Sequence, residues 1–340
     1  MISVQSKRID WVDWMKAIGI YLVVLGHFYS VGEKFIYVFH VPLFFVISGF
    51  LNKKEVDGKV FWRKLWYNLV VPMLLMAVIN FVYHCILQLF NGAFAPIDAY
   101  WFVRNLAFGM VAGFDTLWFV YTLIVLKVFY QFCHSEKLFY ALTVIMLAMA
   151  FVYNNNNLSA LPFFLNEPNA IVGVCTAYPF FAFGVLMHNY KKRLNALNNK
   201  AVLITWFIGG LLLVSLCSVY NGYVGLFHCN YGGNLFLFLI GAFAGTVMIW
   251  ALSVLIGCAP KVVTVISQGT IIILGFHKIL IDFVRLFLTP SVFDVILAIL
   301  ILLLFIPFII AIERFFPLMA GKYRINPRNY RNNNTIHNAN

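Results

Sequence analysis

Apolar residues fall in ten long runs separated by short polar segments. The runs are 14–31, 36–52, 66–90, 117–133, 138–153, 170–188, 201–219, 235–257, 263–288 and 292–315. At about 1.5 Å per residue, a helix of roughly 17–25 such residues crosses the ~30 Å hydrocarbon core of a bilayer. The pattern therefore predicts an all-α fold, a polytopic integral membrane bundle of about ten transmembrane helices. A further segment, 98–113, is short and amphipathic and carries Asp98 and Arg104, which fits an interfacial or re-entrant helix. No internal repeat or soluble domain is visible, so residues 1–320 are expected to form one transmembrane domain. Residues 321–340 are basic and Asn-rich, a composition expected to stay disordered.

Composition agrees with this class and excludes others. Of 340 residues, 63% are hydrophobic and 11% charged, against about 25% charged in soluble domains. The net charge of +12 would suit a nucleic-acid binder, but its distribution follows membrane topology instead. With the N-terminus in the cytoplasm, eighteen Lys and Arg residues fall inside, and Lys34 and Arg104 outside; the remaining four lie within spans. Such a bias fixes orientation and predicts that both termini are cytoplasmic. The first span is too charged and too long for a cleaved signal peptide, and it lacks a small-residue cleavage site. The six cysteines are dispersed without a CxxC pair, so they read as packing residues rather than metal ligands or disulfides.

The first span carries charges that an anchor would not. Within RIDWVDWMKAIGIYLVVLGHFYS stand Asp13, Lys16 and His27, and ionisable groups in hydrocarbon normally face a protein interior or a wet cavity. Lys16 and His27 are eleven positions apart, which places them within about 20° of one helix face and about 16 Å apart along the axis. His277 lies at a depth matching that of His27, near 20 Å from the inner ends of their spans at helical rise, so the two could line one cavity. Asp282 follows, spaced to meet Lys278 or Arg285. His40, Asp115 and Trp118 sit at the outer ends of their spans, and together these groups suggest an outer pocket suited to a sugar. The inner half is cationic: Asp13 and Lys16 begin span 1, Arg63 and Lys64 lead into span 3, and Ser48 and Gly49 close span 2. Cations there suit a phosphate-bearing ligand.

These stretches resemble membrane-bound acyltransferase family 3, particularly its fucose 4-O-acetylase-like branch. DWMKAIGIYLVVLGH supplies a Lys-x10-His motif, and FHVPLFFVISGFL is similar to a second family segment, with Pro42, Ser48 and Gly49. WRKLWYNLVVP contributes Arg63 and Pro72, LWFVYTL Trp118 and Phe119, YPFFAFG Pro179 and Gly184, and ISQGTIIILGFH ends at His277. The resemblance implies about ten transmembrane helices in a bacterial plasma (inner) membrane. It also implies an acyl-CoA donor, most often acetyl-CoA, that is not permanently bound, and a carbohydrate hydroxyl as acceptor in a cell-surface glycan or its precursor. Where many members have Arg at the start of the first motif, this chain has Lys16; lysine keeps the charge but loses bidentate phosphate geometry.

The expected roles follow. His27 is the general base, with Asp13 and Lys16 holding the donor side. Arg63, Lys64 and Ser48 are donor-binding; His277, Asp282, Arg285, Asp115, Trp118 and His40 are acceptor-binding. Direct transfer and a transient acyl-histidine both suit these residues. The rival reading is a transporter or flippase of a saccharide or lipid-linked saccharide; against it stand the missing inverted repeat and paired broken helices.

Overall fold

The computed structural model describes residues 8–90, 97–108, 116–155, 170–190, 199–226 and 230–322. Among these the chain is helical, with no strand beyond one isolated bridge between Gly225 and Asn230. In chain order the helices are α1 (Asp10–Gly26), α2 (Glu33–Tyr37), α3 (His40–Leu51), α4 (Gly58–Phe90, with one π turn at Trp66–Val70), α5 (Ile97–Phe108), α6 (Trp118–Phe132) and α7 (Glu136–Asn155). They continue with α8 (Ala170–Asn189), α9 (Lys200–Asn221), α10 (Leu235–Ile256), α11 (Lys261–Gln268), α12 (Thr270–Arg285) and α13 (Asp294–Phe315).

Every apolar run in the sequence carries helix. Five helical stretches are long and apolar enough to cross a membrane: Glu33–Leu51, Gly58–Phe90, Lys200–Asn221, Leu235–Ile256 and Asp294–Phe315. A sixth is reached if the bent pair α11–α12 is one span. Helix α1 ends at Gly26, short of His27, and α6 is also shorter than a full span. The segment expected at 98–113 forms helix α5 through Phe108, and its remainder lies outside the described residues, as does the tail after Lys322.

Apolar side chains cover the outside, where α9 and α13 leave Leu212, Leu216, Val219, Leu300 and Leu304 exposed. That surface is suited to lipid, which asks for no polar partners. Inside, α1 packs against α3, α10, α11, α12 and α13. It forms the seam between two apolar clusters, giving Val12 and Met15 to one and Ala17, Ile20, Val23 and Val24 to the other. Helices α3 and α8 cross closely because each has a glycine at the contact. A Cβ on Gly49 would lie 2.1 Å from the Phe181 carbonyl oxygen, and one on Gly184 would lie 2.0 Å from that of Val46. Small residues admit such backbone approach between membrane helices. The ISGF and FAFG stretches therefore dock on each other and hold α3 beside α1.

Candidate active site

Four helices enclose a cavity of about 610 Å³. Each contributes one stripe at helical spacing: Lys16, Ile20 and Val23 from α1, continued by His27 at its C-cap; Phe44, Ile47, Ser48 and Leu51 from α3; Phe119, Leu123 and Lys127 from α6; Thr270, Ile271, Leu274 and Lys278 from α12. The α1 series follows i, i+4, i+7, i+11, so Lys16 and His27 do share one face, as their spacing required. Tyr29, Tyr37, His40, Thr116, Trp118 and Tyr223 complete the wall.

One end of the cavity is a histidine cluster. The rings of His27 and His277 lie 4.8 Å apart at 76°, edge to face. This is the pairing that their matched depths suggested. His27 is half-buried and lines the cavity, while His277 is fully buried behind it. Their tautomers are set by the backbone. Nδ1–H of His27 donates to the Val23 carbonyl at 2.8 Å, and Nδ1–H of His277 donates to that of Ile273 at 2.9 Å. Since a carbonyl only accepts, each neutral ring keeps its lone pair on Nε2. Nε2 of His277 is buried with no hydrogen-bond partner among the described residues. His40 repeats the arrangement, with Nδ1 on the Ile36 carbonyl at 2.9 Å and its ring 4.9 Å from that of Tyr37. Just past His27, Tyr29 has a φ of 50°. This is the left-handed region, which costs a non-glycine residue on the order of 1 kcal/mol and recurs near functional sites.

The clamp that fixes this end was not evident in the sequence. Arg285 was expected near the acceptor, but the structure places its guanidinium on Asp294, with Nη2 on Oδ2 at 2.8 Å and Nη1 on Oδ1 at 3.1 Å. The same Nη2 donates to the Phe28 carbonyl at 2.8 Å, and the guanidinium stacks 4.7 Å above the Phe28 ring. Arg285 thus fastens the residue after His27 to the fully buried Asp294. Of the other acceptor-side residues, Trp118 and His40 line the cavity, Asp282 is exposed and does not, and Asp115 lies outside the described residues.

The opposite end is cationic. Lys16 and Lys127 line it with Ser48. Asp13 does not face it, being buried in a bidentate pair with Arg8 (Nε to Oδ2 2.9 Å, Nη2 to Oδ1 2.9 Å). It also accepts a 2.6 Å hydrogen bond from the Ser267 hydroxyl. Asp13 therefore ties α1 to α11, a contact that spacing alone could not reveal. Arg63 and Lys64 are exposed on the first turns of α4, outside the lining, and Lys64 pairs with Glu55 at 2.7 Å. Among the described residues no cluster of His, Cys, Asp or Glu is suited to a metal ion.

These features define a helical membrane protein built around a cavity with a cationic end and a histidine end. The chain belongs to the acyltransferase family whose model, described as an acyltransferase domain, matches residues 9–314. It is a membrane acyltransferase, and the matched span holds every residue named in the site except Arg8. No curated protein and no solved structure matches it.

Proposed function

We propose that this acyltransferase moves an acetyl group from cytoplasmic acetyl-CoA to a carbohydrate hydroxyl of a cell-surface glycan or its precursor, at a bacterial plasma membrane. The observation that carries this reading is His27, backed by the buried His277, in a cavity whose other end holds Lys16 and Lys127. A hydroxyl is a poor nucleophile until its proton leaves, and a neutral imidazole is the usual base. His27 Nε2 takes the acceptor proton as the oxygen attacks the thioester carbonyl. The tetrahedral intermediate collapses with cleavage of the C–S bond, and the thiolate takes the proton from the imidazolium. An ester and a free thiol result. His277 offers a buried Nε2 acceptor beside the imidazolium formed in that step. Trp118, His40 and Thr116 border the acceptor space, and acceptor binding is the role proposed for Asp282 and Asp115 as well. Arg285 acts there through the Phe28 carbonyl, as a positioning group. Arg63 and Lys64, exposed beyond the cavity, would draw in the anionic donor.

Purified protein in liposomes with acetyl-CoA and a saccharide acceptor tests this reading. Acceptor-dependent release of free thiol is expected. Movement of the saccharide across the bilayer with no thiol release would overturn it in favour of a transporter.

A further inference from the structure

The cationic end holds more positive charge than the sequence motifs assign to it. Phe119, Leu123 and Lys127 recur at i, i+4 and i+8, so α6 presents the lysine to the cavity. Lys127 Nζ donates to Asn52 Oδ1 at 2.6 Å, a neutral partner. Lys16 lines the same end. Asp13 and Glu55 are the carboxylates that act on the two lysines, but each is closed in a pair of its own, with Arg8 and Lys64. Neither lysine forms an ion pair among the described residues.

A third positive element meets them. The chain bends by 82° between α11 and α12 at Gly269, where a Cβ would come within 2.3 Å of Ile309. Helix α12 therefore starts afresh in the cavity wall, with Thr270 and Ile271 lining it. The Ser267–Asp13 bond ties the chain just before this start to α1, about one turn before Lys16. A helix N-terminus carries about half a positive charge and unpaired N–H groups. Two ammonium groups and a helix start, with no carboxylate among the residues that line the cavity, are costly away from water. A multiply charged anion offsets that cost.

The length of the cavity narrows the anion. From Lys16 to His27 the helical rise is about 16 Å. A phosphopantetheine arm has about 13 bonds from sulfur to phosphorus, and at roughly 1.2 Å per bond in an extended chain it also spans about 16 Å.

We propose that Lys127, with Lys16 and the first turn of α12, binds the phosphate at the foot of a phosphopantetheine arm, so that the cavity measures the arm and delivers its thioester to His27. This rests on the thioester-donor reading above and adds the group that the protein recognises. Free CoA and an acyl carrier protein both present such an arm.

The test compares kcat/KM for acetyl-CoA, S-acetyl-4′-phosphopantetheine, an acetylated acyl carrier protein and S-acetylpantetheine, which lacks phosphate. The unmodified protein should favour its better phosphorylated donor over S-acetylpantetheine by about 10- to 100-fold, the range of a charge-assisted contact. Preference among the phosphorylated donors identifies the source. Lys127→Met should collapse that preference toward unity, and Lys127→Arg should retain most of it. If Lys127→Met does not accumulate, Lys16→Met in the same assay should show the same collapse. An unmodified protein indifferent to the phosphate overturns the proposal, as does a Lys127→Met variant that loses both donors by one common factor. A protein that uses none of the four donors contradicts the thioester reading instead.

Discussion

The protein carries two kinds of charge on and beside its apolar helices, and they differ in who neutralises them. Arg285–Asp294 and Arg8–Asp13 are bidentate pairs closed within the chain, and none of the four residues lines the cavity. Lys16 and Lys127 line it and form no ion pair among the described residues, the nearby carboxylates Asp13 and Glu55 being committed to Arg8 and Lys64. A neutralised pair serves the fold, because breaking it strands a charge in a poor solvent. An unneutralised pair of cations at one end of a cavity serves a ligand. Charge in a membrane segment is thus not by itself a sign of function; what matters is whether the chain has already answered it.

The contrast is most exposed to failure at Asp294. Asp294→Ala leaves the Arg285 guanidinium without its carboxylate, so stability should fall by about 3–5 kcal/mol, as for other broken buried pairs. Thermal unfolding in detergent would read this, and an unchanged midpoint would show that the pair is not structural. Arg8→Ala should cost less, about 1–3 kcal/mol, since Asp13 keeps its Ser267 bond and the lost partner is 42% exposed. Lys16→Met should move the midpoint little or raise it, within about 0.5 kcal/mol, because it removes a cation that has no ion pair of its own. A loss of several kcal/mol there would place Lys16 among the structural charges. Arg63→Ala should have the smallest consequence. An exposed charge gains only about 0.2–1 kcal/mol from a partner in water, so the KM for acetyl-CoA should rise no more than about fivefold.

The helices were legible because long apolar runs admit few alternatives in a bilayer. The His27–His277 contact was legible too, since helical rise converts sequence position into depth, and two spans then share a level. What escaped were features that depend on how helices face one another. The partner of Asp13 is Arg8, outside the helix and reached only after the chain turns into α1. The partner of Arg285 is Asp294, nine residues on and across a turn, not Asp282 at helical spacing. A single lysine such as Lys127 in an apolar helix looks like a snorkelling side chain, and only the packing of α6 on α8 and on the π turn of α4, with Phe119 against Phe44 and Phe45 of α3, turns it inward. Arg63 stands in a basic stretch that resembles a family segment, yet its place on the first turns of α4 leaves it at the surface.

The central claim is that chemistry occurs at His27, and His27→Ala tests it most directly. Turnover under saturating donor and acceptor should fall by about 10²–10⁴-fold, the contribution of a positioned base. Affinity for acetyl-CoA should persist, because the cations lie about 16 Å away along α1. A folded His27→Ala protein that binds acetyl-CoA and turns over at a near-normal rate would contradict the account.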